Sequence, residues 1–343
     1  MKGVAKLALG EGNVGMLDVP IPEVRSEHVL IEVEATGVCG TDIHIYHGEY
    51  ASNPPVIMGH EVAGIVAEVG KGVTNCQAGD RVTCETYFYV CDQCDFCRSG
   101  LPNLCPHRKS IGSGVHGGFT QYVLVPAPNI HHLPENVDAI AGALSEPLTC
   151  CVHALERTHV EPGELAVVSG PGAIGLLMAQ VVKTAGAKTV VLGTGADTAR
   201  LDMAKKLGVD MTINIEEEPA KQTINDLTDG NGADVVFECA GVGASAQSCL
   251  NLVRRRGRYG QVGLFGKPIE LDLDLVCYKE VDLHGSFAHV PSAWRKALNL
   301  MATGQIQTRS LVSAILPITE WQAAFDGFER QDGLKVVLTP IQA

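Results

Sequence analysis

The sequence predicts an α/β protein of two domains: a β-rich domain that carries the chemistry-bearing residues, and a doubly wound parallel-sheet domain. Three observations lead there. Short segments of alternating polarity, punctuated by Gly and Pro, fill the first third of the chain. A strand–helix alternation begins near Glu146 and runs to about Ala288. At its head stands Gly170-Pro-Gly-Ala-Ile-Gly175, a G-x-G-x-x-G between a predicted strand and a predicted helix.

Taken in order, Val4 to Val33 reads as short strands, with turns at Glu11–Gly15 and at Pro20-Ile-Pro, and with a strong period-2 strand from His28 to Glu34. Glu61 to Val69, Arg81 to Cys84 and Gln121 to Val125 continue the antiparallel, barrel-like pattern. A helix starts at Glu146-Pro147, with proline at a first-turn position. Leu165-Ala-Val-Val-Ser reads as a buried parallel strand, followed by a helix from Leu176 to Ala185. Further strands are expected at Thr189–Leu192, Met211–Asn214, Ala233–Gly241, Gly260–Leu264 and Leu283–Ala288, with a helix at Arg200–Leu207. From Trp294 to Pro340 the pattern gives helices and one last strand, Lys335–Thr339, which is expected to return to the first domain. The expected domains are therefore 1–150 with 290–343, and 151–289.

Two constellations carry chemistry. Val38-Cys-Gly-Thr-Asp-Ile-His44 and Gly59-His60-Glu61 offer one sulfur, one nitrogen and one carboxylate from Cys39, His60 and Glu61. Such a set suits an open zinc site, in which a free coordination position lets the ion act as a Lewis acid. Taken singly, Cys39 also reads as a small core residue, and Glu61 as a group that orients a ligand. The second constellation is Cys91, Cys94, Cys97 and Cys105, spaced C-x2-C-x2-C-x7-C. Four thiolates in one loop surround a tetrahedral zinc with no open position, a structural site; an iron–sulfur cluster is disfavoured by the absence of a C-x3-C-P run.

Composition excludes other classes. A net charge of −13 argues against nucleic acid, and Arg254-Arg255-Arg256, the one basic run, is expected to cap a helix end. No run approaches the ~20 apolar residues of a membrane span, and no secretory signal is legible at the start, so a cytoplasmic protein is expected. The remaining cysteines, Cys76, Cys84, Cys150, Cys151, Cys239, Cys249 and Cys277, read as core or near-core thiols. His47, His107, His116, His131 and His132 are assigned to surfaces or loops.

Together with Gly79-Asp-Arg-Val82 and Glu146-Pro147, these motifs resemble the zinc-containing medium-chain dehydrogenase/reductase family, in its polyol (sorbitol-type) and threonine dehydrogenase branches. The likeness covers essentially the whole chain. It implies a GroES-like catalytic domain, a Rossmann domain, two Zn2+ per chain, NAD or NADP, and a homo-oligomer of two or four subunits. It further implies that Cys39, His60 and Glu61 hold the catalytic zinc with Glu146 as an exchangeable fourth ligand. Thr41 and His44 would relay the proton of a small-molecule alcohol. Cofactor contacts would come from Gly170, Gly172, Ala173, Ile174, Gly175, Gly195, Arg200, Gly263 and Leu264.

Three departures from the family pattern matter. Where NAD-specific members place an acid after the second strand, this chain has Gly195, with Asp197 and Arg200 close behind. Ile45 follows His44 where the polyol branch has tyrosine, and Ala288 follows Phe287 where it has arginine. The expected reaction is oxidation of a polyol, sugar or related secondary alcohol to a ketone, with L-threonine oxidation second. A non-enzymatic dinucleotide-binding module with structural zinc only is the reading from another class.

Overall fold

The computed structural model describes residues 1–340. The chain forms two compact units, Met1–Glu146 with Val290–Ala302 and Thr308–Ala343, and Pro147–His289 with Thr303–Gln307.

In the first unit, a seven-stranded sheet runs in the order Ile130–His132, Arg81–Cys84, Glu61–Val69, His28–Gly37, Lys335–Thr339, Val312–Pro317, with Tyr122–Pro126 also paired to His28–Gly37. His28–Gly37 alternates as its sequence demands. Val29, Ile31 and Val33 are buried with Val62, Val66, Val82 and Val123, while Glu32 and Glu34 are exposed. Each fully buried Val or Ile contributes roughly 1.5–3 kcal/mol. A one-residue slip would bury the glutamates instead, so the register is strongly specified. That register sets Gly37 opposite Glu61 in the antiparallel ladder. Cys39 lies two residues beyond Gly37, and His60 one before Glu61, so this pairing alone brings the two ligand-bearing segments together.

The second unit is built on six parallel strands. Their order is Met211–Asn214, Lys188–Gly193, Leu165–Ser169, Ala233–Glu238, Val253–Gln261, Asp282–Gly285. Counted along the chain this is 3-2-1-4-5-6, the doubly wound order whose direction reverses between the first and fourth strands. The apolar runs fill the sheet interior through Val167, Val190, Ile213 and Val236.

Several expectations are corrected. Val312–Pro317 is a strand that the sequence did not announce: half of its residues are exposed, and it lies at the sheet edge, parallel to Lys335–Thr339. The fifth strand of the parallel sheet starts at Val253, and its register jumps between Ala233↔Val253 and Val235↔Arg258. The Arg254–Arg256 run therefore lies in a strand. Arg254 pairs with Asp234 at 2.7 Å, and Arg255 donates to the Tyr278 carbonyl at the end of helix Asp274–Lys279. Arg255 thus caps a helix end as expected, though from a strand, and Lys279 caps helix Gly243–Leu252 by donating to the Leu250 and Asn251 carbonyls. The sixth strand stops at Gly285, three residues short of the expected Ala288. Cys277 is exposed, against its assignment to the core. His116 lies in a loop and is exposed, as expected, whereas His131 sits in strand Ile130–His132 and has a structural role. His116 Nδ1 accepts the Ile57 N–H, while His131 stacks on buried Trp294 and bonds Glu85 at 3.0 Å.

Candidate metal and dinucleotide sites

Helix Gly40–Tyr46 begins directly after Cys39, and its first turn is tied to the second ligand segment by Asp42. The fully buried Asp42 carboxylate accepts the Cys39 N–H at 3.0 Å and the Gly59 N–H at 3.3 Å. It also lies 3.8 Å from His60 Nδ1. One side chain thus fixes the spacing between Cys39 and His60.

Cys39, His60 and Glu61 each present a ligand atom within 4.8 Å of the others. Burial works against a charge on His60, but Asp42, Cys39 and Glu146 around it hold its imidazole well above the ordinary histidine range. So concentrated a negative field favours a cation, and a metal ion there takes the place of that proton.

Glu61 is the most informative residue of the three. Its Oε1 accepts from Lys335 Nζ at 2.5 Å, and Lys335 also donates to the Val38 carbonyl at 2.9 Å. Both side chains are buried, at 0% and 4% exposure. Burial opposes the charge of Lys335, but Glu61 and Cys39 outweigh it and raise its pKa. Among the described residues, Glu61 Oε2 has no hydrogen-bond partner. A buried carboxylate oxygen without a donor is costly unless a cation completes it. A Cβ on Gly37 would come within 1.9 Å of that oxygen, so only glycine fits opposite Glu61. The residues therefore fit a bound zinc.

Glu146 is buried at the start of helix Ser145–Thr158 and acts on the charge of His60, but it lies outside the tight three-residue cluster. Thr41 Oγ1 accepts from the Cys39 thiol at 3.7 Å. His44 is partly exposed, and its Nδ1 bonds Glu49 Oε2 at 2.7 Å. Asp42, Lys335, Gly37 and Glu49 were missed by sequence reasoning. The legible signal was weak: an acid at the third position of a short helix, and a lysine heading an otherwise apolar strand.

The four loop cysteines meet as spaced. All four sulfurs lie within 4.8 Å of one another, with Cys94–Cys97 at 3.5 Å and Cys91–Cys105 at 3.7 Å. The N–H groups of Gln93 and Cys94 lower the Cys91 pKa to about 6, while burial and the neighbouring thiols push Cys97 up to about 12. Thiols this close compete for the negative charge that a shared metal allows all of them to carry.

In the second unit, Gly170 follows strand Leu165–Ser169 with φ +97°, which glycine alone adopts readily, and Gly172 caps helix Ala173–Thr184. Ala173 and Ile174 form the first turn of that helix. A Cβ on Gly175 would lie 1.8 Å from the Gly170 carbonyl, whereas one on Gly172 would meet nothing within 4 Å. Gly175 serves close packing, and Gly172 leaves space in front of the helix N-terminus, where a pyrophosphate fits. Gly263, two residues after strand Val253–Gln261, packs against Glu238, and Leu264 beside it is exposed. Arg200 pairs with Asp197 at 3.2 Å.

A β-rich unit with a Cys–His–Glu cluster and a four-cysteine loop, together in one chain with a doubly wound unit that carries a glycine turn, defines the class of zinc-binding nicotinamide dehydrogenases. Sequence comparison then places the chain. The alcohol dehydrogenase GroES-like domain matches residues 25–135, and the zinc-binding dehydrogenase domain matches residues 173–303. The chain is 41% identical to a sorbitol dehydrogenase of Halalkalibacterium halodurans, over 99% of its own length and 100% of the relative's. It is 41% identical to a D-arabitol-phosphate dehydrogenase of Enterococcus avium, over 98% and 97% of the two chains. A protein of Sinorhizobium meliloti, described as a zinc-binding dehydrogenase and solved with NADP bound, superposes with a TM-score of 0.90 at 32% identity, covering 99% of each chain. The chain belongs to the zinc-containing medium-chain dehydrogenase/reductase family, and its cofactors are zinc and a nicotinamide dinucleotide.

Proposed function

We propose that this chain oxidises a secondary alcohol of a polyol or sugar-derived substrate to the ketone, passing hydride to NAD(P). The observation that carries this reading is the buried, unpartnered Oε2 of Glu61 beside Cys39 and His60. A dinucleotide-binding module has no need of such an arrangement, whereas an alcohol-activating metal centre requires one. Cys39, His60 and Glu61 hold the zinc, with Glu146 as the exchangeable fourth ligand, and Cys91, Cys94, Cys97 and Cys105 hold the structural one. Bound at the first site, zinc supplies the Lewis acidity that lowers the pKa of a substrate hydroxyl.

The chain's own residues do the rest. Asp42 and Lys335 keep the ligand side chains in place. The Thr41 hydroxyl receives the substrate proton, and His44, partly exposed and held by Glu49, passes it to solvent. Gly170, Gly172 and Gly175 shape the turn that receives the pyrophosphate, with Ala173, Ile174, Gly195, Arg200, Gly263 and Leu264 along the cofactor's path. The catalytic work thus falls to residues 1–150 and 290–343, and dinucleotide binding to 151–289.

Two relatives named for sugar alcohols, each matching over almost the full chain, support the substrate class. Threonine stands second: no arginine is assigned to its carboxylate, and a relative named for it is 34% identical, against 41% for the two sugar-alcohol relatives. A homo-oligomer in the cytoplasm completes the reading. Edge strand Asp282–Gly285 exposes Leu283, with Leu273 and Tyr278 also exposed, and none of the twelve cysteines is in a disulfide, which suits a reducing compartment. No helix among the described residues is long and apolar enough to cross a membrane.

The test is cofactor reduction with a panel of polyols, polyol phosphates and L-threonine, using NAD and NADP in parallel. Turnover with a sugar alcohol is expected. No turnover with any substrate, in protein carrying two zinc ions per chain, overturns the proposal; turnover with threonine alone moves it to the second reading.

A further inference from the structure

The turn after the second strand of the parallel sheet lacks the acid that ordinarily holds the adenosine ribose, yet the structure fills that place from elsewhere. Gly193 ends the strand against the glycine turn, where its Cβ would lie 3.0 Å from Pro171. Two residues on, the Gly195 N–H donates to Glu216 Oε2 at 3.0 Å. Glu216 is exposed and follows the neighbouring strand Met211–Asn214. Two more donors at this turn are engaged by a second carboxylate. Asp197 accepts the Thr194 N–H at 3.0 Å and the Thr194 hydroxyl at 2.9 Å, and it pairs with Arg200 at 3.2 Å.

We infer that Glu216 is the ribose-binding acid of this chain and makes it selective for NAD over NADP. The inference deepens the dehydrogenase reading and rests on it. A carboxylate accepts hydrogen bonds from the vicinal hydroxyls of a ribose, but it repels a 2′-phosphate carrying two negative charges. Asp197 holds the Arg200 guanidinium in a pair, which engages it away from a 2′-phosphate. Nothing at position 195 could do this, because glycine has no side chain; the third strand supplies what the second strand omits.

Direct binding of NADH and NADPH, read by fluorescence, tests the inference without requiring turnover. In the wild-type protein NADH binds tighter by roughly a hundredfold, the scale of a like-charge juxtaposition. Glu216→Gln, which keeps an acceptor for the Gly195 N–H, narrows that ratio about tenfold or more by tightening NADPH. Glu217→Gln, which removes the same charge from the next residue, leaves the ratio within about twofold. Equal affinity for the two cofactors in wild-type protein, an unchanged ratio in Glu216→Gln, or an equal change in both variants would each overturn it. Binding of neither dinucleotide would instead contradict the dehydrogenase reading itself.

Discussion

Replacing Lys335 by methionine removes the cation while keeping much of the volume. Lys335 and Glu61 are buried at 4% and 0% exposure, with Nζ 2.5 Å from Oε1, and among the described residues no hydrogen-bond donor reaches Glu61 Oε2. Breaking such a pair from one side strands an uncompensated carboxylate, at a cost of about 3–5 kcal/mol. For a folding unit of 150–250 residues this corresponds to a fall in Tm of roughly 6–20 °C. The assay is thermal and urea unfolding of chelator-treated protein, repeated with zinc restored. Because a bound cation also neutralises Glu61, zinc should recover more stability in Lys335→Met than in wild type. The double variant Lys335→Met with Glu61→Gln removes both charges and should regain most of the loss. A loss below about 1 kcal/mol in the metal-free single variant, or an equal loss with and without zinc, would refute the reasoning that Lys335 holds a metal-binding carboxylate.

Other outcomes follow from the same geometry. Cys97→Ser should lower thermal stability and zinc content by one ion per chain, because a structural zinc contributes folding free energy directly; metal analysis and calorimetry check this. Gly172→Ala should fold normally but bind NADH more weakly, since the added methyl enters open space before the helix. Gly175→Ala, whose Cβ would meet the Gly170 carbonyl at 1.8 Å, should also destabilise the protein by about 1–3 kcal/mol or more. His47 is raised above its usual pKa chiefly by its hydrogen bond to Glu329. A raised folded-state pKa gives stability that is full below the unfolded value of about 6.5 and fades as pH climbs through the folded one. Glu329→Gln should therefore cost stability near pH 5.5 and little at pH 9, as urea midpoints at the two values would reveal.

Much of the fold was legible because two different periodicities divide the chain. Alternation in His28–Gly37 and unbroken apolar runs such as Leu165–Ser169 each have one physical solution, a half-exposed strand and a buried parallel one. The glycine turn and the four-cysteine loop were readable because their spacing is local. Features that depend on distant pairing were not. Val312–Pro317 is a strand only because Lys335–Thr339 lies beside it, and the jump in register at Arg254–Arg256 depends on Asp234 and Tyr278. Lys335 shows the same limit at the metal site. Its sequence context is that of a strand terminus, and its role arises from Glu61, 274 positions away. Glu216 stayed hidden because reading the second strand for an acid directs attention to position 195, whereas the carboxylate arrives from the third.

Zinc content per chain, measured in the purified wild type and in Cys39→Ser, decides whether Cys39 helps to hold a second, catalytic ion. Two ions in the wild type and one in a folded, NADH-binding Cys39→Ser that turns over no substrate is the predicted result. One ion in the wild type, or two in the variant, would contradict an open metal centre built on Cys39, His60 and Glu61.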